Sequence, residues 1–228
     1  MEFIENKLYT YKAIAGNVAQ EIARTSHRVI GITGTSSVGK STFSRTLRKK
    51  IEAAGYQVQI LSADNYLKDT FRAGYRFWNR KDSNYLKPEH FDWEALRLDL
   101  DKLLVGESVE HESYIRGTGW GKIQTAHPAD IYIIEGLFLD AVQTSEHLNY
   151  DFLISLTAED HFIRNLRIKR DAYYRRTSST FTRTEEETLI EIENTLHAGK
   201  TYTAYNGWKP HLVLHVERAF HAKLTMKL

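Results

Sequence analysis

The amino-acid sequence predicts an α/β fold in three layers, with a mostly parallel central sheet flanked by helices. Three stretches carry that expectation. Residues 28–33 form a β-branched run that ends in Gly34-Thr35-Ser36-Ser37-Val38-Gly39-Lys40-Ser41-Thr42, and helical spacing follows at Phe43, Leu47 and Ile51. Residues 56–62 alternate as a second strand after Gly55, and a strand, helix, strand order implies a parallel crossover. Residues 130–136, Asp130-Ile131-Tyr132-Ile133-Ile134-Glu135-Gly136, hold a continuous apolar run of the kind that fills a central strand buried on both faces.

Taken in order, Ile4, Leu8, Tyr11, Ala15, Val18 and Ile22 recur at three- and four-residue steps, so residues 1–27 are expected to hold an amphipathic helix packed on the core. The next junction reads G-x-x-x-x-G-K-[ST] between a strand and a helix, which is the context a phosphate-cradling loop requires. Gly34 and Gly39 allow the tight turn and leave room for phosphate oxygens against the main chain. The amides of Thr35, Ser36, Ser37, Val38 and Thr42 and the start of the helix suit an anion. Lys40 can reach the β- and γ-phosphates, and the Ser41 hydroxyl can ligate magnesium. The expected fold is therefore the three-layer P-loop NTPase fold, with a nucleoside triphosphate as ligand.

The second strand ends at Ser62-Ala63-Asp64-Asn65-Tyr66. The carboxyl ends of parallel strands carry the chemistry, so Asp64 is placed near the loop, as a proton acceptor or in a magnesium shell. An Asx turn or helix cap is the competing role. Residues 64–125 read as acceptor-binding insertions. Within them Phe71, Arg72, Tyr75, Arg76, Phe77, Trp78, Arg80, Lys81 and Tyr85 make an aromatic and basic stretch, either a cover over an acceptor or a surface excursion. Pro88 opens a helix carrying Phe91, Ala95, Leu96, Leu98, Leu100, Leu103 and Leu104, and residues 108–125, with Tyr114, Arg116 and Trp120, look like a hairpin that walls the same site.

Glu135 closes the central apolar strand in the Walker B manner, and Gly136 lets the chain turn beside it. Residues 151–156 form a further strand, followed by a helix in which Arg167 and Arg170, three apart, share a face. This region, 160–184, is expected to act as a lid whose guanidinium groups neutralise a transferring phosphoryl group, against the alternative of a solvated basic face. A helix over 185–197 and a last strand over 211–216 complete the chain, with His211 and His215 expected on an edge strand.

At 228 residues and 42% hydrophobic content the chain is long enough for one substantial core, so residues 1–228 are expected to form one domain. A net charge of +2 is too mild to make nucleic acid the main partner, and the lack of cysteine removes thiolate and disulfide chemistry. No apolar run is long enough for a bilayer and the first residues do not resemble a leader, so a soluble cytoplasmic protein with a small-molecule acceptor is expected, without membrane contact. Self-association into a homo-oligomer is left open by the sequence.

From about residue 28 to residue 216 the chain resembles the phosphoribulokinase and uridine kinase family of P-loop kinases, which includes bacterial pantothenate kinases. The loop at residues 34–42, Ser62-Ala63-Asp64-Asn65-Tyr66, Ile133-Ile134-Glu135-Gly136 and Arg167-Ile168-Lys169-Arg170-Asp171, an R-x-x-R-D pattern, carry the resemblance. It implies ATP as donor, Mg2+ held around Ser41, Glu135 and Asp64, Asp64 as general base, and Arg167 and Arg170 as lid residues. Two departures concern the acceptor. Uridine kinases hold the ribose with an acid in N-F-D-H-P, where this chain has Asn84-Tyr85-Leu86-Lys87-Pro88, and their pyrimidine-reading histidine five residues after a tyrosine is missing after Tyr114. Tyr66, Arg76, Tyr85, Tyr114 and Arg116 are the expected acceptor contacts. The expectation is an ATP-dependent kinase of a metabolite hydroxyl, with a nucleoside ranked first and a pantothenate- or sugar-type acceptor next. The alternative of another class is a regulatory ATP-binding protein; a GTPase is disfavoured because no N-K-x-D motif is present.

Overall fold

A computed structural model describes residues 7–69, 87–115, 119–142, 148–179, 181–203 and 210–227. The first half runs β1 (Leu8–Thr10), α1 (Tyr11–Thr25), β2 (Val29–Gly34), α2 (Lys40–Glu52), β3 (Val58–Ser62), 3-10 turns at Ala63–Tyr66 and Pro88–His90, and α3 (Trp93–Leu104). Then follow β4 (Val109–Ile115), β5 (Gly119–Ala126), β6 (Ile131–Glu135), α4 (Leu139–Val142), β7 (Phe152–Thr157), α5 (Asp160–Thr177), α6 (Glu185–Thr203), β8 (Leu212–Arg218) and β9 (His221–Lys227).

Seven strands form one sheet in the order β1-β9-β8-β7-β2-β6-β3, and β4 and β5 make a separate hairpin. The strands β3, β6, β2, β7 and β8 are parallel, while β9 and β1 close one edge antiparallel. Alternate side chains of the central strands enter two different cores. Ile30, Ile32, Ile133 and Ile154 pack with Ile14 and Val18 of α1 and Phe43 and Leu47 of α2. Val29, Tyr132, Ile134 and Leu153 pack with Leu96, Leu100 and Leu103 of α3. Burial on both faces is why these strands read as unbroken apolar runs, each fully buried Ile or Leu contributing about 1.5–3 kcal/mol.

The two ends of the chain depart from the sequence expectation. The N-terminal helix starts only at Tyr11, because Leu8–Thr10 pairs with β9 instead and the Thr10 hydroxyl caps the helix by accepting from the Ala13 amide at 3.2 Å. The alternation of Ala222 and Leu224, both buried, forms the unanticipated β9. β8 is therefore internal, and the expected edge-strand placement of His211 and His215 is corrected. His211 stacks on Phe152 at 5.1 Å just before β8 while its Nδ1 accepts from the Leu153 amide, and His215 on β8 lies 3.3 Å from the Thr157 hydroxyl. Pro88 opens a 3-10 turn; α3 begins at Trp93, where the Asp92 carboxylate accepts from the Ala95 amide. Among the described residues no helix is long and apolar enough to cross a membrane.

Candidate active site

Parallel register brings the carboxyl ends of β2, β3 and β6 together: Glu135 lies opposite Ser62 on one neighbour and opposite Ile32 on the other. The loop after β2 begins at Gly34, with φ +138°, where a Cβ would stand 2.2 Å from the Leu156 carbonyl oxygen. It ends at Gly39, φ +106°, under the Tyr11 hydroxyl. Neither position accepts a side chain. Lys40, first in α2 and buried, curls its Nζ back to donate to the carbonyls of Gly34 at 2.9 Å and Thr35 at 3.1 Å. Gly39 gives α2 no side-chain cap, which leaves the helix start suited to an anion. A cleft of about 710 Å³ opens here, lined by Ser36 through Thr42, Asp64 and Glu135.

Glu135 and Asp64 both line the cleft, with hydroxyls and Lys40 beside Glu135. Glu135 is buried and accepts from the hydroxyls of Ser41 at 3.0 Å and Ser62 at 3.2 Å. Burial raises its carboxyl above the usual glutamate value and the charge of Asp64 adds to that, against the opposing pull of Lys40 and the two hydroxyls. A buried carboxylate with a second one nearby and hydroxyls beside it is a hard-cation donor set. Ser41, Glu135 and Asp64 thus fit magnesium, whose remaining ligands would be phosphate oxygens and water. Asp64 is second in the turn after β3, and its backbone carbonyl accepts from the Trp120 indole at 3.3 Å. A further acid went unread in the sequence: Asp140 accepts from the Thr33 hydroxyl at 3.0 Å, and burial raises its carboxyl.

The hairpin forms as expected and hangs on this turn. Asn65 accepts from the Tyr114 amide at 2.8 Å, and the Trp120 ring packs on Tyr114 at 4.6 Å. Tyr114 lines the cleft with Asn65, His111, Ser113, Gln124 and Thr125, all neutral hydrogen-bonding groups. Burial lowers the His111 imidazole, opposed by the charge of Asp99, so the ring is neutral at physiological pH. Tyr66, expected at the acceptor, is instead a core residue that does not line the cleft. It is buried, donates its hydroxyl to Asp99 at 2.9 Å and stacks behind His111. Burial, then Asp99, raises its phenol. Its apolar ring and polar tip suited either place; the partner on α3 decided. Arg76, Tyr85 and Arg116 lie outside the described residues.

Arg167 and Arg170 both reach the loop, by different routes. Arg170 lines the cleft and donates to Ser37 Oγ at 2.5 Å. Arg167, only 2% exposed, donates to Ser36 Oγ at 2.7 Å and pairs with Glu191 of α6, behind the cleft wall rather than in it. Glu191 also pairs with Arg183, and Asp171 bridges Arg183 at 3.1 Å and Arg170 at 3.2 Å. Burial alone would raise the Asp171 carboxyl, yet Arg170, Arg167 and Arg183 hold it below the usual carboxylate range. Arg167 and Arg170 are not a solvated face; with Arg183 they are compensated by two buried acids. Sequence reading singled out neither Arg183 nor Glu191, although Asp171 stood in the R-x-x-R-D pattern. Phe162, Leu166, Arg170 and Tyr174, four apart along α5, all line the cleft, a periodicity that was visible beneath the arginines.

A model of the phosphoribulokinase / uridine kinase family matches residues 29–186. A uridine kinase of Deinococcus deserti is 32% identical over 141 residues, 60% of this chain and 66% of that protein. One from Halobacterium salinarum is 30% identical over 149 residues, 64% of this chain and 63% of that protein. The chain thus spans just under two thirds of the length of these relatives. The D-glycerate 3-kinase of Cryptococcus neoformans var. grubii shares the fold, with a TM-score of 0.63 at 12% identity over 90% of this chain and 94% of that one.

Proposed function

Because the chain belongs to the phosphoribulokinase / uridine kinase family, we propose that it transfers the γ-phosphoryl group of ATP to a hydroxyl of a small metabolite. The observation that carries this reading is the convergence of Lys40, Ser41, Asp64 and Glu135 on one cleft. The loop amides and Lys40 bind and orient the donor phosphates. Magnesium, when bound, would supply charge neutralisation across the β- and γ-phosphates, with Ser41, Glu135 and Asp64 as its protein side. The acceptor oxygen attacks phosphorus in line, its proton passes to the Asp64 carboxylate, and the bond to the β–γ bridging oxygen breaks to release ADP. Arg170 would meet charge on the transferring group and Arg167 would position the loop, a reading supported by their hydrogen bonds to Ser37 and Ser36.

A nucleoside is the first-ranked acceptor, supported by the names of the relatives and by the Tyr114–Trp120 pair beside Asp64. A sugar- or pantothenate-type acceptor is the second, supported by Asn65, Gln124 and Thr125, whose neutral amide and hydroxyl groups suit a polyhydroxy compound. A cytoplasmic setting, where ATP is available, belongs to the same reading. ADP release from Mg-ATP, measured against uridine, cytidine, other nucleosides, pantothenate, ribulose 5-phosphate and simple sugars, tests it. One acceptor should stimulate release and Lys40→Ala should abolish the response; tight ATP binding with no responding acceptor would favour the regulatory alternative.

A further inference from the structure

One polar contact beneath the phosphate loop has no part in the transfer steps above. Thr33 is the last side chain of β2 before the chain turns at Gly34, and it is fully buried on the face of the sheet that Val29 also occupies. A hydroxyl so placed needs a partner, and the Asp140 carboxylate supplies it at 3.0 Å. Burial, then the charge of Asp140, raises the phenol of nearby Tyr150, so that neighbour stays neutral. Lys40 supplies the cation whose charge reaches Asp140.

Asp140 comes to Thr33 by a strained route. From Glu135 the chain passes Gly136, where a Cβ would stand 2.5 Å from the Ala63 Cβ, and then Phe138, whose backbone is left-handed at φ +62°. A bulky residue rarely adopts that conformation. The buried Phe138 ring stands edge-on to Phe91 at 6.1 Å, so packing holds the turn that brings Asp140 back to β2. Strain of this kind persists where the surroundings enforce it, and it clusters where geometry serves function. The carboxylate also accepts from the Asp140 and Ala141 amides, which makes capping of the short α4 its competing role.

The contact bears on the root of the loop. Gly34, next to Thr33 and at φ +138°, presents the carbonyl that accepts from Lys40 Nζ at 2.9 Å. Rotation of the peptide there would move the lysine with it. We propose that Asp140, acting through Thr33, is a positioning residue that fixes the root of the phosphate loop and so sets where Lys40 is held for the β- and γ-phosphates. The inference rests on the kinase reading for the use made of Lys40. Neither Thr33 nor Asp140 lines the cleft, so the action is through the loop and not on the nucleotide.

Calorimetric Mg-ADP binding to the full chain tests this in two backgrounds, with Lys40 and with Lys40→Ala, since ADP keeps its loop-amide contacts when the lysine is gone. Thr33→Val keeps the side-chain shape without the hydroxyl, Thr33→Ser keeps the hydroxyl, and Asp140→Ala removes the acceptor. With Lys40 present, Thr33→Val and Asp140→Ala should each weaken ADP binding by about tenfold, the lower end for a lost hydrogen bond to a charged group. Thr33→Ser should stay within about twofold of wild type. In the Lys40→Ala background the same substitutions should change affinity by less than about twofold, because residues that act as a unit do not add. Equal losses in both backgrounds overturn the proposal, since a helix cap or a general distortion of the loop would give them. Unchanged ADP binding in Thr33→Val overturns it as well, and that variant decides the matter if Asp140→Ala does not fold. Mg-ADP binding with the predicted coupling, but no acceptor that stimulates ADP release from Mg-ATP, overturns the kinase reading and leaves the positioning of Lys40 standing. Failure of the wild-type protein to bind Mg-ADP overturns both.

Discussion

The two sides of the cleft, donor and acceptor in the proposed kinase reading, are built by different means. Phosphate geometry comes from the main chain, through two glycines that exclude a Cβ, a lysine folded onto two carbonyls, and arginines whose charges are compensated by buried Asp171 and Glu191. On the proposed acceptor side, the geometry comes from side chains on a hairpin joined to the Asp64–Asn65 turn by the Tyr114 amide and the Trp120 indole. Phosphate is the same anion for every member of a kinase family, so a backbone solution is shared. An acceptor differs from member to member, and a hairpin face of exchangeable groups allows that change without disturbing the sheet.

The sharpest way to break this division is Asp64→Asn, where the two sides meet. Loss of the proton acceptor should reduce transfer by about 10²–10⁴-fold, while ADP affinity is retained. Parallel loss of both, read by single-turnover kinetics and calorimetry, would mean that the turn after β3 supports the phosphate side structurally. Next in size is Glu191→Gln. Removing one charge from a buried network leaves Arg167 and Arg183 undercompensated, at a cost of about 3–5 kcal/mol in unfolding free energy by urea titration. Acceptor KM should be nearly unchanged, because Glu191 does not line the cleft. A stable variant with a raised acceptor KM would show that the network extends into the acceptor half.

The same division explains what was legible in the sequence. Residues 34–42 and Glu135 could be read because main-chain geometry restricts residue choice to glycine, lysine, a hydroxyl and an acid at fixed spacing. β6 and β7 could be read because burial on both faces leaves an unbroken apolar run. Tyr66 was misplaced because an aromatic beside a reactive acid has the same local pattern whether it faces a substrate or Asp99 on a helix distant in sequence. Glu191 and Arg183 were missed because their pairing with Arg167 depends on how α6 docks on α5, which no local spacing encodes. β1 escaped notice because it has three residues and its partner β9 is at the far end of the chain.

A smaller effect sharpens the metal side. The Glu135 carboxyl is raised by burial and by Asp64, so the folded protein holds a proton that the unfolded chain has released in the window above the ordinary glutamate value. Relative to Glu135→Gln, wild-type stability without magnesium should increase as pH falls through that window and level off below it. Magnesium must displace the same proton, so Mg-ADP affinity should rise with pH across the window and lose that slope in Glu135→Gln. A flat difference in both measurements would place the carboxylate pair outside the metal site.

Smallest is Tyr66→Phe, which bears on whether the acceptor face ends at His111. The substitution removes one hydrogen bond to Asp99 and keeps the ring that stacks behind His111, so it should cost about 1 kcal/mol of stability. If Tyr66 only supports the hairpin from behind, acceptor KM and kcat stay at wild-type values once the protein is folded, and the loss is confined to the denaturation midpoint. A raised acceptor KM without loss of stability would mean that the phenol reaches the acceptor directly. The hairpin would then have to sit differently over Asn65 during turnover, and the acceptor face would include the turn after β3 as well as β4 and β5.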